Sequence, residues 1–139
     1  MKMSSVVHFE MPAKDNKRVS DFYSKVFGWQ MNQLGVDMGN YLLAKTTEVD
    51  ENKMPKTPGA INGGFFAYKD EEGFNMPHLV ISVDNLEEAM KNVEEAGGKI
   101  LGGVSGPGKI DDIPGIGRYI SFDDSEGNHL GMLQPSPRK

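Results

Sequence analysis

Residues 78–98, HLVISVDNLEEAMKNVEEAGG, decide the fold, because residues 8–28, HFEMPAKDNKRVSDFYSKVFG, follow the same plan. Each stretch opens on a histidine inside a run that predicts a strand, over residues 5–10 and 78–83. Each then reaches an Asp-Asn pair, Asp15-Asn16 or Asp84-Asn85, either member of which can cap a helix. In the first helix Val19, Phe22, Tyr23, Val26 and Phe27 fall on one face, at i, i+3, i+4, i+7 and i+8. In the second, Leu86, Ala89, Met90, Val93 and Ala96 are spaced as on a helix. Gly28 ends the first helix and Gly97-Gly98 the second, as glycine commonly does. The caps are offset by 84 − 15 = 69 and the glycines by 97 − 28 = 69. The histidines are offset by 78 − 8 = 70, so one extra residue sits in the first strand-to-helix turn, at 11–14.

Working outward, three strands are expected after each helix: 29–36, 40–46 and 60–68, then 99–104, 117–122 and 128–133. The polar stretch 47–58, with two prolines, and the Gly/Pro stretch 105–116 read as loops. The expectation is an α+β fold of two pseudo-symmetric βαβββ modules, about residues 4–69 and 77–135, joined near 69–77 within a single domain, 1–139. A module of about 65–70 residues with one amphipathic helix buries little core alone. The economical solution is a pair of modules whose curved mixed sheets enclose a cavity, with the helices outside.

Composition narrows the chemistry. A chain of 139 residues, 37% hydrophobic and 25% charged, is ordinary for one globular domain. With no cysteine, it has no disulfide, thiolate nucleophile, zinc finger or iron–sulfur cluster. The histidines are His8, His78 and His129. The net charge of −5, from 15 basic and 20 acidic residues, argues against a nucleic-acid partner. No apolar run approaches the ~20 residues of a membrane span, and the first ten residues have no signal-peptide core, so a cytoplasmic location is expected.

The local words also carry a resemblance. Val7-His8-Phe9-Glu10 followed by Asp21-Phe22-Tyr23-Ser24-Lys25-Val26-Phe27-Gly28-Trp29 looks like the opening strand and helix end of the vicinal oxygen chelate superfamily. That superfamily groups glyoxalase I, bleomycin-resistance proteins and extradiol dioxygenases. His78-Leu79-Val80-Ile81-Ser82-Val83-Asp84-Asn85-Leu86 looks like the start of its second module, and Asp123-Asp124-Ser125-Glu126-Gly127-Asn128 like the turn before its last strand. The match is nearest to glyoxalase-like members of unknown function. In glyoxalase I-like members each module supplies one metal ligand from its first strand and one from its last. The resemblance puts His8 and His78 at the first-strand positions. Gly131 stands where the glyoxalase glutamate would be, and strand 61–66 has no Asp, Glu or His. Half of the ligand set is missing, which argues against glyoxalase I activity itself.

Each candidate site residue carries functional readings beside a structural one. His8 and Glu10 are two apart on a strand and share a face. They can hold a divalent metal, orient and deprotonate a substrate, or form a structural pair. Imidazole with carboxylate suits Fe(II), Mn(II), Zn(II) or Ni(II), and adding His78 makes a two-histidine, one-carboxylate set. His78 is a metal ligand or general base, or an edge histidine beside Pro77. His129 binds substrate beside Gly131, stands in for the lost glutamate, or faces solvent. Gly63, Gly64 and Gly131 mark close approach of a ligand, or a bulge. Trp29, Phe65, Phe66, Tyr41 and Tyr119 form an aromatic wall, or core. The loops 49–58 and 105–116 are lid candidates, the second with Asp111, Asp112 and Arg118 facing a polar substrate or solvent. The Gly-rich run 102–108 lacks the Lys-Ser/Thr of a phosphate loop, so no nucleotide is expected. The acidic residues Glu87, Glu88, Glu94 and Glu95 read as a solvated helix face.

Two functions follow. One is a divalent-metal-dependent lyase, isomerase or oxygenase, with His8, His78 and Glu10 at the metal. The other is a metal-free protein that binds or sequesters a small organic molecule by cavity shape and aromatics. The resemblance also implies a homodimer.

Overall fold

The computed structural model describes residues 2–69 and 75–137, so the expected join at 69–77 falls largely outside the described residues. The chain divides into two compact units, residues 8–77 and residues 1–7 with 78–139. The first unit is built from β1 (Val6–Ala13, of which His8 onward belongs here), α1 (Asn16–Phe27), β2 (Gln30–Gln33), β3 (Leu42–Lys45) and β4 (Asn62–Ala67), with a 3-10 turn at Val36–Met38. Its strand order is β2-β3-β4-β1, with β1 parallel to β4 and the other pairs antiparallel. The second unit runs β5 (His78–Ser82), α2 (Leu86–Glu95), β6 (Lys99–Gly103), β7 (Gly106–Pro107), β8 (Asp111–Ile113), β9 (Gly117–Asp123) and β10 (His129–Pro135). Here the order is β5-β10-β9-β6-β7, with β8 also on β9 and β5 parallel to β10. Both units are βαβββ with a mixed sheet, the second enlarged by the β7 and β8 insertion.

Both helices start as their caps predict. Asp15 accepts a hydrogen bond from the Arg18 amide at 3.0 Å, and Asn85 one from the Glu88 amide at 2.9 Å. Gly28 closes α1 at φ 71°, a left-handed conformation that favours glycine. The predicted apolar face of α1 is narrower than its spacing suggests. Val19 and Tyr23 pack on the core, whereas Phe22, Val26 and Phe27 are 53%, 55% and 60% exposed. On α2, Leu86 is fully buried and Ala89, Met90 and Val93 pack beside it.

Each unit has its own core on the helix side of its sheet. In the first, Ala13, Leu42, Ala44 and Phe65 are buried, with Phe9, Met11, Trp29 and Met31 packed around them. In the second, the core is Leu86, Ile120, Phe122 and Met132.

The strand ends differ from expectation in several places. Residues 11–14 were expected to turn, but β1 runs on to Ala13, pairing Met11, Pro12 and Ala13 with Phe65, Phe66 and Ala67. Pro12 has no amide hydrogen, so the strand passes through it only because that residue needs to donate nothing there. The expected strand 29–36 ends at Gln33, and the chain then enters the 3-10 turn. The expected loop 105–116 contains β7 and β8, and the Asp111 carboxylate accepts from the Val104 and Ser105 amides at 2.7 and 2.8 Å. Val49 and Pro55 likewise form a bridge inside the 49–58 loop. No helix among the described residues is long and apolar enough to cross a membrane.

Candidate active site

Strand alternation sorts the candidate residues onto two faces. In the first unit Phe9, Met11 and Phe65 point to the helix-side core. His8, Glu10 and Gly64 therefore lie on the other face. Parallel pairing of β1 with β4 puts Glu10 beside Gly64 and His8 beside Asn62. Antiparallel pairing of β3 with β4 puts Leu43 beside Gly64, so Tyr41, two residues earlier, sits diagonally across from that glycine. A Cβ on Gly64 would overlap the Tyr41 ring. The missing side chain lets the tyrosine lie flat over β4, and its hydroxyl reaches β1. There it donates to Glu10 Oε2 at 2.9 Å and stands 2.9 Å from His8 Nε2. The His8 and Tyr41 rings are near parallel, with centroids 6.4 Å apart.

The direction of these bonds follows from donor counting. Tyr41 has one hydroxyl hydrogen, and Glu10 receives it. The Tyr41 oxygen must then accept from His8 Nε2, which fixes the hydrogen of a neutral His8 on Nε2. The result is a directed chain, imidazole to phenol to carboxylate, half-buried on one face of the sheet. Tyr41 belonged to the expected aromatic wall; its hydroxyl joining His8 to Glu10 was not foreseen. The signal that finds it is the β3–β4–β1 register, which the sequence does not print.

The second unit repeats the tyrosine and the glycine with different partners. Antiparallel pairing puts Ser121 beside Gly131, so Tyr119 stands diagonally across from it, as Tyr41 does from Gly64. A Cβ on Gly131 would overlap the Tyr119 ring. Gly131 pairs with Val80, the place that Glu10 holds beside Gly64. His129 lies directly opposite Asp123, and its Nδ1 is hydrogen-bonded to Asp123 Oδ1. Their side chains are 21% and 22% exposed. His78 heads β5 and is half-buried.

The other candidates are placed elsewhere. Trp29 stacks on Tyr23 at 4.5 Å between centroids and tilts against Phe9 at 5.5 Å, inside the first unit's core. Phe65 is 2% exposed in that core. Gly63 sits under the Phe9 ring on the same side. Trp29, Gly63 and Phe65 are thus brought together by helix-side packing, on the face opposite His8 and Glu10. Arg118 pairs with Glu87 at 2.5 Å and approaches Asp112 at 3.8 Å, tying β9 to α2. A shallow groove beside α2, lined by Glu87, Met90, Lys91, Glu94, Glu95 and Ile110, contains none of the candidate residues.

The resemblance implies a divalent metal, and the residues present do not fit one at the expected positions. Gly64 and Gly131 offer no ligand atom, and tyrosine rings lie over both. His8 and Glu10 are already joined through the Tyr41 hydroxyl at hydrogen-bond distances. Among the described residues, no three His, Asp or Glu side chains gather as a metal-holding group.

Comparison with known proteins adds the following. The model of the Glyoxalase/Bleomycin resistance protein/Dioxygenase superfamily matches residues 5–132. No curated protein sequence matches the chain. Among solved structures, methylmalonyl-CoA epimerase from Mycobacterium tuberculosis is similar with a TM-score of 0.65 at 15% identity, covering 99% of this chain and 93% of that one. A hypothetical protein from Bacillus halodurans gives 0.66 at 12% identity, over 99% of both chains. A Streptomyces coelicolor methylmalonyl-CoA epimerase variant in complex with 2-nitronate-propionyl-CoA gives 0.67 at 10% identity, over 98% of this chain and all of that one. At these identities the likeness is one of fold.

Proposed function

Because the chain belongs to the Glyoxalase/Bleomycin resistance protein/Dioxygenase superfamily, we propose that it binds a small organic molecule on the sheet face opposite α1, at an anchor that holds no resident metal. The observation that carries this reading is the Tyr41 hydroxyl held between His8 Nε2 and Glu10 Oε2. A phenol fixed on both sides is a rigid hydrogen-bonding point: its hydrogen is committed to Glu10, so its oxygen accepts from a ligand hydroxyl or N–H at little entropy cost. Glu10 accepts the phenol hydrogen and holds the hydroxyl in place. A solved neighbour holds a CoA ester, which makes acyl-CoA compounds the first to screen. The module pairing implied by the resemblance makes a homodimer part of the same reading, which light scattering in solution tests.

The test combines metal analysis with ligand binding. Protein purified without a histidine tag is expected to hold no stoichiometric metal, and Zn, Ni, Mn or Fe(II) is expected to leave its melting temperature unchanged. A ligand found by thermal shift is expected to bind Tyr41→Phe about tenfold more weakly, the scale of one hydrogen bond. Stoichiometric metal that disappears in His8→Ala would overturn the metal-free anchor. Equal ligand affinity in Tyr41→Phe and the parent would overturn the anchor altogether.

A further inference from the structure

We propose that the uncovered apolar flank of α1 in one copy of the chain seats in the acidic groove beside α2 in a second copy. The inference deepens the homodimer part of the proposed function. A monomer in solution would remove both, and a dimer indifferent to these two surfaces would remove this one alone.

The apolar stripe of α1 is wider than the core that its own unit offers. Val19 and Tyr23 pack on that core. Phe22 and Val26 follow Val19 at i+3 and i+7, on the same stripe, yet both are more than half exposed. Phe27, also exposed, extends the surface, with its ring centroid 5.9 Å from Tyr23 and 6.1 Å from Trp29. Large apolar side chains at i and i+4 on an exposed helix flank are the pattern of a helix that seats in a groove. Basic residues frame this ridge. Lys17 is paired with Asp21 at 2.8 Å, which leaves Arg18, four residues before Phe22, and Lys25, three after it. With three basic residues and one acidic, α1 carries a net charge of +2.

The groove beside α2 has the complementary make-up. Its volume is about 370 Å³, and Met90 and Ile110, both packed against the second core, supply its apolar lining. Glu87, Glu94 and Glu95 stand around them with Lys91. Glu87 holds Arg118, and Lys91 approaches Glu95 at 3.9 Å. Among the described residues this leaves Glu94 to meet a cation of the second copy. With four acidic residues and one basic, α2 carries a net charge of −3. The whole chain carries −5, so two copies repel except where a basic surface meets an acidic one. That selects α1 against α2 over either helix against its own copy, and it selects a second copy as the occupant, because one chain presents both halves of the contact.

The test is a charge exchange between two variants at exposed positions, with association followed by sedimentation equilibrium and folding checked by melting temperature. Arg18→Glu/Lys25→Glu makes α1 acidic, and Glu94→Lys/Glu95→Lys makes the groove basic. Each variant alone is expected to self-associate at least tenfold more weakly than the parent. Their equimolar mixture is expected to recover the parent's association, because the acidic α1 of one then meets the basic groove of the other while the reverse contact keeps its native charges. Phe22→Ser is expected to weaken the parent about tenfold, and added salt to weaken it further. A parent that stays monomeric up to about 100 μM, a range that covers weak, small interfaces, would overturn the proposal and leave the ridge to a different protein. Association unchanged in both charge variants and in Phe22→Ser, or a mixture that associates no better than its components, would also overturn it.

Discussion

Tyr41 shows how a single side chain can redirect a site. Its ring needs the absence of a side chain at Gly64, and its hydroxyl needs both His8 and Glu10. These two requirements separate in mutants. Tyr41→Phe keeps the ring over Gly64 and removes only the hydroxyl, so it is expected to cost about 1 kcal/mol of stability, read as the midpoint shift in urea. Gly64→Ala introduces a Cβ that overlaps the ring itself. Overpacking of this kind costs roughly 1–3 kcal/mol, and the displaced hydroxyl also leaves its partners, so ligand binding should fall with stability. His8, Glu10 and Gly64 were all legible as candidates, because histidine, carboxylate and strand glycine are conspicuous. What joins them was not legible, because a tyrosine 31 residues after Glu10 reaches it only through the register of three strands.

At the scale of elements, the ends of the helices were the most legible feature and the ends of the strands the least. Asp15, Asn85 and Gly28 act through local backbone geometry, which a short window of sequence contains. Asp15→Ala and Asn85→Ala are each expected to cost about 1 kcal/mol, measured by thermal or urea unfolding. Strand limits depend on the neighbour, which is why residues 11–13 continue a strand despite Pro12, and why 105–116 hides β7 and β8. Element docking also has an electrostatic part. The Arg118 guanidinium, bonded to Glu87 at 2.5 Å, holds that carboxyl down to about 2 from 4.5. A carboxyl lowered in the folded state stabilises fully above its unfolded value and loses that contribution as the pH falls through its folded value. The pair therefore helps hold α2 to β9 above about pH 4.5 and stops doing so near pH 2. Both groups are solvent-facing, so the effect is small and screened by salt. Comparing melting temperatures of Glu87→Gln and the parent at pH 7 and near pH 2 should show a gap that closes at the acid end; a gap independent of pH would assign the contact no electrostatic part.

For the whole molecule, the duplicated βαβββ order was legible because each module repeats the same sequence of caps, glycines and apolar spacing, and the structure has the same order twice. The division of chemistry between the modules was not. Matching histidines at the module starts suggest equivalent sites, yet Glu10 in one unit is replaced at the corresponding register by Val80 in the other, and the imidazole–carboxylate pair there uses His129 and Asp123. Both units carry a tyrosine over a glycine, Tyr41 on Gly64 and Tyr119 on Gly131, while the polar residues around the two pairs differ. Two cores rather than one also divide the stability. The largest fully buried side chains are Phe65 in the first unit and Leu86 and Ile120 in the second. Phe65→Ala is expected to cost about 3–5 kcal/mol and Ile120→Ala about 2–5 kcal/mol, against a total of about 5–15 kcal/mol for a protein of ordinary stability. Neither loss should be absorbed by neighbouring side chains, since each residue sits in a cluster of four buried side chains. Urea midpoints of the two variants should therefore fall far below those of Asp15→Ala and Asn85→Ala. A Phe65→Ala midpoint no lower than that of a cap variant would show that the first core does not carry the stability of its unit.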